Sequence, residues 1–145
     1  MKRQEVAVTA TSTADADTLY RLLCDRAAVV VWSPMSECEL ERPGERDPEG
    51  VGSVRRQRLG RTVGYDTIIE LRPGRLFRYS HEGLPVNGYV GTVTLTPVDG
   101  GCRVDWSSSF TPRYPLTGWL LRRGVRRFLT DCVTGLASYA ETATP

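Results

Sequence analysis

The sequence has one histidine, no clustered cysteines and no long apolar run, and each shortage argues against a class of function. Its four cysteines, at positions 24, 38, 102 and 132, form no CxxC pair. Zinc sites need several His or Cys ligands at close spacing, so we expect no metal and four reduced thiols. No stretch approaches the roughly 20 apolar residues of a membrane-spanning helix, so no membrane span is expected.

Neither positive nor negative charge is in large excess. Nineteen Lys and Arg against 17 Asp and Glu leave a formal net charge of +2, too small to indicate nucleic acid as a partner. No Ser-His-Asp spacing is present that would indicate a catalytic triad. No phosphate loop is present either, and no cofactor is expected. The polar N-terminal stretch lacks an apolar signal core, which favours a cytoplasmic protein. The length predicts one domain over residues 1–145.

The spacing of the apolar residues divides the chain into three parts. A first alternating strand, residues 5–10, is followed by two short helical stretches that end at residues 32–34, Trp-Ser-Pro. Residues 35–112 then alternate with period two between turn residues, which predicts six strands in an antiparallel meander. Residues 116–142 return to a period of 3.6 and predict one long helix, roughly 40 Å in length.

This order of elements resembles the helix-grip fold of the START and birch-pollen-allergen superfamily. More narrowly, it resembles the polyketide cyclase/dehydrase-type members, often called SRPBCC proteins. The resemblance implies an α+β fold in which a curved antiparallel sheet wraps around a long C-terminal helix. The segments that carry it are residues 32–34 (WSP), 52–55 (GSVR), 75–79 (RLFRY), 91–97 (GTVTLTP), 101–106 (GCRVDW), 110–112 (FTP) and 135–137 (GLA).

The resemblance also implies a cavity between sheet and helix, and strand alternation predicts which side chains line it. Residues two apart on a strand share a face, so one apolar residue fixes the orientation of its neighbours. Phe77 brings His81 inward, Ile69 and Leu71 bring Tyr65, and Asp66 is then expected on the solvated face. The predicted ligand-binding residues are Arg56, Tyr65, Thr67, Tyr79, His81, Tyr89, Trp106, Ser108, Phe128 and Cys132.

Two of these residues are also candidates for catalysis. His81 can act as a general acid or base, or it can be a strand-end histidine that is bonded to the backbone or faces solvent. Val54 brings Arg56 inward, where it can hold an anionic oxygen. Alternatively, Arg56 is an edge arginine paired with a glutamate of residues 36–41 (SECELE).

Three functions fit this sequence. The first is a binding protein that carries or sequesters a hydrophobic, polyketide-like or aromatic molecule, including a self-resistance or accessory role in natural-product biosynthesis. The second is a polyketide aromatase/cyclase that directs aldol closure and dehydration. The arginines of residues 122–127 (RRGVRR) can dock an acyl carrier protein for such an enzyme, or they can form a solvated helix face. The third is a protein-interaction module such as a co-chaperone domain. We favour binding, because no partner acid for His81 follows from the spacing.

Overall fold

The computed structural model of the protein describes residues 2–143. Its one sheet has seven strands in the order β1-β7-β6-β5-β4-β3-β2, with every neighbouring pair antiparallel. The elements are β1 (Gln4–Ser12), α1 (Ala16–Cys24), α2 (Arg26–Trp32), β2 (Glu37–Arg42), β3 (Val54–Leu59), β4 (Thr62–Arg72), β5 (Leu76–Glu82), β6 (Val86–Val98), β7 (Gly101–Pro112) and α3 (Gly118–Ala143). The predicted helix-grip architecture is therefore confirmed.

The two short helices begin and end where side chains and proline chemistry require. Asp15 caps α1 by accepting a 2.8 Å hydrogen bond from the backbone N–H of Thr18. That bond is the largest cause that lowers the pKa of the Asp15 carboxyl. Helix α2 ends at Trp32, because Ser33 takes an extended conformation before Pro34. The two helices pack on each other and against α3.

Helix α3 covers the concave face of the sheet. Its buried residues are Val125, Leu129, Cys132, Val133, Leu136, Ala137 and Ala140, spaced three or four apart. Near its C-terminal end, the Ser12 hydroxyl donates a 2.8 Å hydrogen bond to the carbonyl of Ala137, which ties the helix to β1. The N-terminal half of α3 packs less closely, and the cavity described below lies there. No helix within residues 2–143 has the length and apolar character needed to cross a bilayer.

The four arginines of the RRGVRR run (Arg122, Arg123, Arg126 and Arg127) are all exposed on α3. We expect that changing Arg122 and Arg123 to Gln shifts the free energy of unfolding by no more than about 0.5 kcal/mol. Urea denaturation of the double variant measures this. A larger loss would show that these arginines stabilise the fold, and salt-sensitive binding of an acyl carrier protein that the variant loses would show a docking role.

Candidate ligand cavity and its polar wall

A cavity of about 300 Å³ lies between the sheet and the N-terminal half of α3. Its two walls differ in chemistry. The helix side is apolar and includes Leu121, Val125 and Phe128. The sheet side carries Leu59 and a group of polar side chains from four neighbouring strands: Gln57, Asp66, Tyr79, His81 and Tyr89. Such a cavity suits a ligand with an apolar body and a few oxygen atoms along one edge.

The mouth of the cavity is formed by exposed residues. Leu59 and Leu120 are 39% and 58% exposed, and both line the opening. Gly124 also lines it, and a Cβ atom built on Gly124 meets no atom within 4 Å. Close by in sequence, Leu116 and Trp119 are 94% and 67% exposed. Two exposed leucines therefore form part of the opening.

A smaller inner pocket of about 40 Å³ adjoins this cavity. The two share the side chains of Met35, Gln57, Asp66, Tyr79 and Phe128. The inner pocket is further lined by Leu23, Val29, Trp32, Ser33, Arg55, Phe77, Trp106 and Cys132. A wider cleft of about 470 Å³ opens between α2 and β2, but its Arg26 and Glu49 are already paired at 2.8 Å. We therefore place the candidate site in the cavity under α3.

Tyr79, Tyr89, Trp106 and Ser108 face inward as predicted and are joined by hydrogen bonds. The indole N–H of Trp106 donates to the Tyr79 hydroxyl at 3.0 Å, and the Tyr89 and Ser108 hydroxyls are 2.7 Å apart. Burial is the largest cause that raises the pKa of both phenols above the ordinary value. Both tyrosines therefore stay neutral. Their hydroxyls form a preorganised polar wall.

His81 also faces inward as predicted, and it has a partner that the sequence analysis missed. Its Nδ1 lies 2.6 Å from Oδ1 of Asp66, and the two side chains are 17% and 13% exposed. Asp66 and His81 are direct cross-strand partners on β4 and β5. The ring fits because it lies over Gly64, where a Cβ atom would collide with it. The two side chains form a hydrogen-bonded carboxylate–imidazole pair on the cavity wall.

The predicted inward orientation of Tyr65 and Thr67 is wrong, and so is the solvated position expected for Asp66. The reason is a β-bulge in β4, where the register shifts between Ile68 and Glu70 and leaves Ile69 as an extra residue. Ile68 is fully buried whereas Ile69 is 39% exposed. The face assigned from Ile69 was therefore inverted for the residues before the bulge.

The predicted inward orientation of Arg56 is wrong as well, and with it the geometry for a catalytic role. Arg56 and Arg58 point outward to Glu37, at 3.8 and 3.1 Å. This is the edge pairing that the sequence offered as the alternative. The inward residues of β3 are Arg55 and Gln57, which are buried. Leu59 lies two residues after Gln57, on the same face of β3. This apolar residue could have shown that Arg55 and Gln57 point inward.

Phe128 and Cys132 lie on the face of α3 toward the sheet, as predicted. Phe128 lines both the cavity and the inner pocket, and Cys132 lines the inner pocket. Burial raises the pKa of the Cys132 thiol, which keeps it protonated. The four cysteines are free thiols. Within residues 2–143, no group of three or more His, Cys, Asp or Glu side chains is arranged to hold a metal ion.

Solved structures with the same fold have diverse functions. The Zhui aromatase/cyclase from Streptomyces sp. R1128 is 18% identical, with a TM-score of 0.81 over 97% of this chain and 94% of that chain. A START superfamily protein from Mycobacterium smegmatis is 14% identical, with a TM-score of 0.81 over 97% and 99%. Norcoclaurine synthase from Thalictrum flavum, in complex with dopamine and hydroxybenzaldehyde, is 14% identical, with a TM-score of 0.76 over 99% and 90%. At these identities the likeness concerns the fold.

The sequence itself establishes the family. No curated protein is significantly similar to the chain. The family described as "Polyketide cyclase / dehydrase and lipid transport" matches residues 3–141, which is nearly the whole chain. Together with the seven-stranded sheet wrapped on α3, this match shows that the chain belongs to the polyketide cyclase/dehydrase and lipid transport family.

Proposed function

We propose that the protein binds a hydrophobic, aromatic or polyketide-like small molecule in the cavity under α3. In this role it is a carrier, a sequestering protein or an accessory protein of natural-product biosynthesis, including self-resistance. The observation that carries the proposal is the cavity of about 300 Å³ with one apolar and one polar wall. This volume lies at the lower end of the range for small-molecule sites.

The polar wall narrows the ligand class. Tyr79 and Tyr89 are neutral phenols, and Gln57 adds an amide, so oxygen atoms of a ligand can find partners along the sheet. Flat rings can pack between these aromatics and Phe128 on the helix. Two structural neighbours are consistent with this class, since one is an aromatase/cyclase and the other holds dopamine and hydroxybenzaldehyde.

A fluorescent apolar dye tests the binding proposal. N-phenyl-1-naphthylamine is expected to show a saturable rise in emission at one dye per protein, because the cavity excludes water from the bound rings. Binding to the exposed apolar residues near the mouth is the competing explanation. The double variant Leu116→Gln, Trp119→Gln is therefore the control, and it should keep the same stoichiometry. Emission that does not saturate, or that the control variant loses, would refute uptake into the cavity.

The Asp66–His81 pair favours a second candidate, acid-base catalysis of the aromatase/cyclase kind. With the Nδ1–H of His81 donated to Asp66, Nε2 can take a proton from carbon next to a ligand carbonyl. The resulting carbanion would close a ring on a second carbonyl of the same chain. Ring closure leaves an alkoxide, which takes the first proton back from His81 and becomes a hydroxyl. His81 then removes a second proton from the same α-carbon and delivers it to the leaving hydroxyl, which departs as water while a carbon–carbon double bond forms and His81 returns to its neutral state.

Deuterium exchange tests this candidate without knowledge of the natural substrate. In D₂O the protein is expected to accelerate exchange of the methyl protons of 2-acetonaphthone, followed by proton NMR. His81→Ala and Asp66→Asn should each reduce the exchange rate about 10²-fold, the scale of a lost general base, while dye binding changes little. Glu82→Gln, at an exposed position on the same strand, is the matched control. Equal exchange with wild type, His81→Ala and no protein would exclude the candidate.

A further inference from the structure

The inner pocket contains a buried positive charge, on Arg55 of β3. This residue is 3% exposed. Its Nη2 donates to the carbonyls of Leu23 and Cys24, both at 3.1 Å, at the C-terminal end of α1. The guanidinium carbon lies 5.3 Å from the centre of the Phe77 ring. Arginine stays protonated in proteins, so the charge is permanent.

No carboxylate within residues 2–143 forms an ion pair with this charge. None of the seven ion pairs among residues 2–143 includes Arg55. Its cross-strand partner is Asp66, but the Asp66 carboxylate is bonded to His81 at 2.6 Å. Nε of Arg55 is also the one buried side-chain nitrogen or oxygen within residues 2–143 that lacks a hydrogen bond. Buried charges are ordinarily paired, so Arg55 is suited to pair with an anion.

The position of Arg55 indicates where that anion would come from. Arg55 lines the inner pocket of about 40 Å³, which adjoins the larger cavity across Gln57, Asp66 and Tyr79. This volume has room for a small polar group and none for a ring. A ligand that fills the cavity with its apolar body can therefore extend one short polar end to the guanidinium.

We propose that the inner pocket binds the anionic end of the ligand, a carboxylate or a comparable oxygen anion, on Arg55. The inference rests on the proposed function, because the apolar body of the ligand occupies the cavity under α3. Among the described residues, Asp66 is the one carboxylate that lines the inner pocket. The Asp66 carboxylate contacts Nδ1 of His81 at 2.6 Å and forms no ion pair with Arg55, which leaves the guanidinium to the ligand. The preferred ligand class is thus an aromatic or polyketide-like acid.

A pair of isosteric ligands tests the inference. Calorimetric titration at pH 7 compares 2-naphthoic acid, an anion, with 2-naphthamide, which is neutral. Wild type is expected to bind the acid about 10-fold more tightly or better, since hydrogen bonds to charged groups are the stronger ones. Arg55→Gln should remove this preference. Arg56→Gln, the neighbouring arginine that points away from the cavity, should retain it.

The outcomes separate the inference from the function on which it depends. Equal affinity of wild type for both ligands would overturn the anion site and leave hydrophobic binding intact. Binding of neither ligand would overturn both. Arg55 also holds the end of α1, so Arg55→Gln can fail to fold. In that case the affinities of the wild-type protein for the two ligands decide whether an anion site exists. Loss of the preference for the acid in Arg56→Gln would refute the assignment of this site to Arg55.

Discussion

Replacing Gly124 by tryptophan is expected to abolish ligand uptake without weakening the fold. Gly124 lines the mouth of the cavity, and a Cβ atom there meets nothing within 4 Å. An indole at this position would occupy the space between Leu121 and Phe128 that a ligand needs. Affinity for N-phenyl-1-naphthylamine should fall about 100-fold or more, which is about 2.7 kcal/mol. Glycine is a poor helix residue, so the free energy of unfolding should rise by about 0.5 kcal/mol.

Two controls separate plugging from a general effect of the substitution. Gly124→Ala should keep full dye binding, since a methyl group leaves the mouth open. Thr130→Trp adds the same side chain at an exposed position on α3 and should also bind normally. Undiminished binding by a stable, folded Gly124→Trp protein would show that the ligand does not use this cavity.

Replacing Gly135 by alanine is expected to destabilise the protein by about 3 kcal/mol. At this position α3 lies directly on the end of α2, and a Cβ atom would overlap the carbonyl oxygen of Trp32. The overlap involves backbone on both sides, so no side-chain rotation relieves it. The two helices must therefore separate. Trp32 then loses contacts with the core, where its ring centroid lies 6.0 Å from that of Trp106.

Gly124→Ala is again the matched control, because it is the same substitution in the same helix. With no neighbour within 4 Å, it should stabilise the protein by about 1 kcal/mol through helix propensity alone. Urea unfolding followed by circular dichroism measures both variants. Changes of the same sign at the two glycines would contradict the close contact described for Gly135.

The architecture could be predicted from the sequence because it depends on periodicity summed over long segments. Six alternating strands and one long helix outweigh any single irregular residue, and the apolar stripe of α3 placed Phe128 and Cys132 correctly. Strands β5, β6 and β7 were also oriented correctly. In each of these strands the apolar residues near the site all lie on one face, as Phe77 does with His81 and Val93 with Tyr89.

The polar wall could be predicted only in part, since it depends on single residues. In β3, the buried member is a charged arginine that is held by backbone carbonyls of α1, and no periodicity reveals such a contact. In β4, the bulge changes the parity between Leu71 and Asp66, so a correct apolar residue gave an incorrect face. The partner of His81 was hidden for the same reason.

The bulge in β4 also has a consequence for how such a binding wall can diverge between relatives. Gly64, Asp66 and Ile68 form one face of this strand, and Tyr65 and Thr67 lie on the other. Loss of the codon for Ile69 would remove the extra residue and leave the inward set unchanged. Loss of the codon for Thr67 would instead turn Tyr65 toward the ligand and Asp66 toward solvent. Deletion of one residue can therefore leave the cavity wall unchanged at Ile69 and exchange its side chains at Thr67, two positions away.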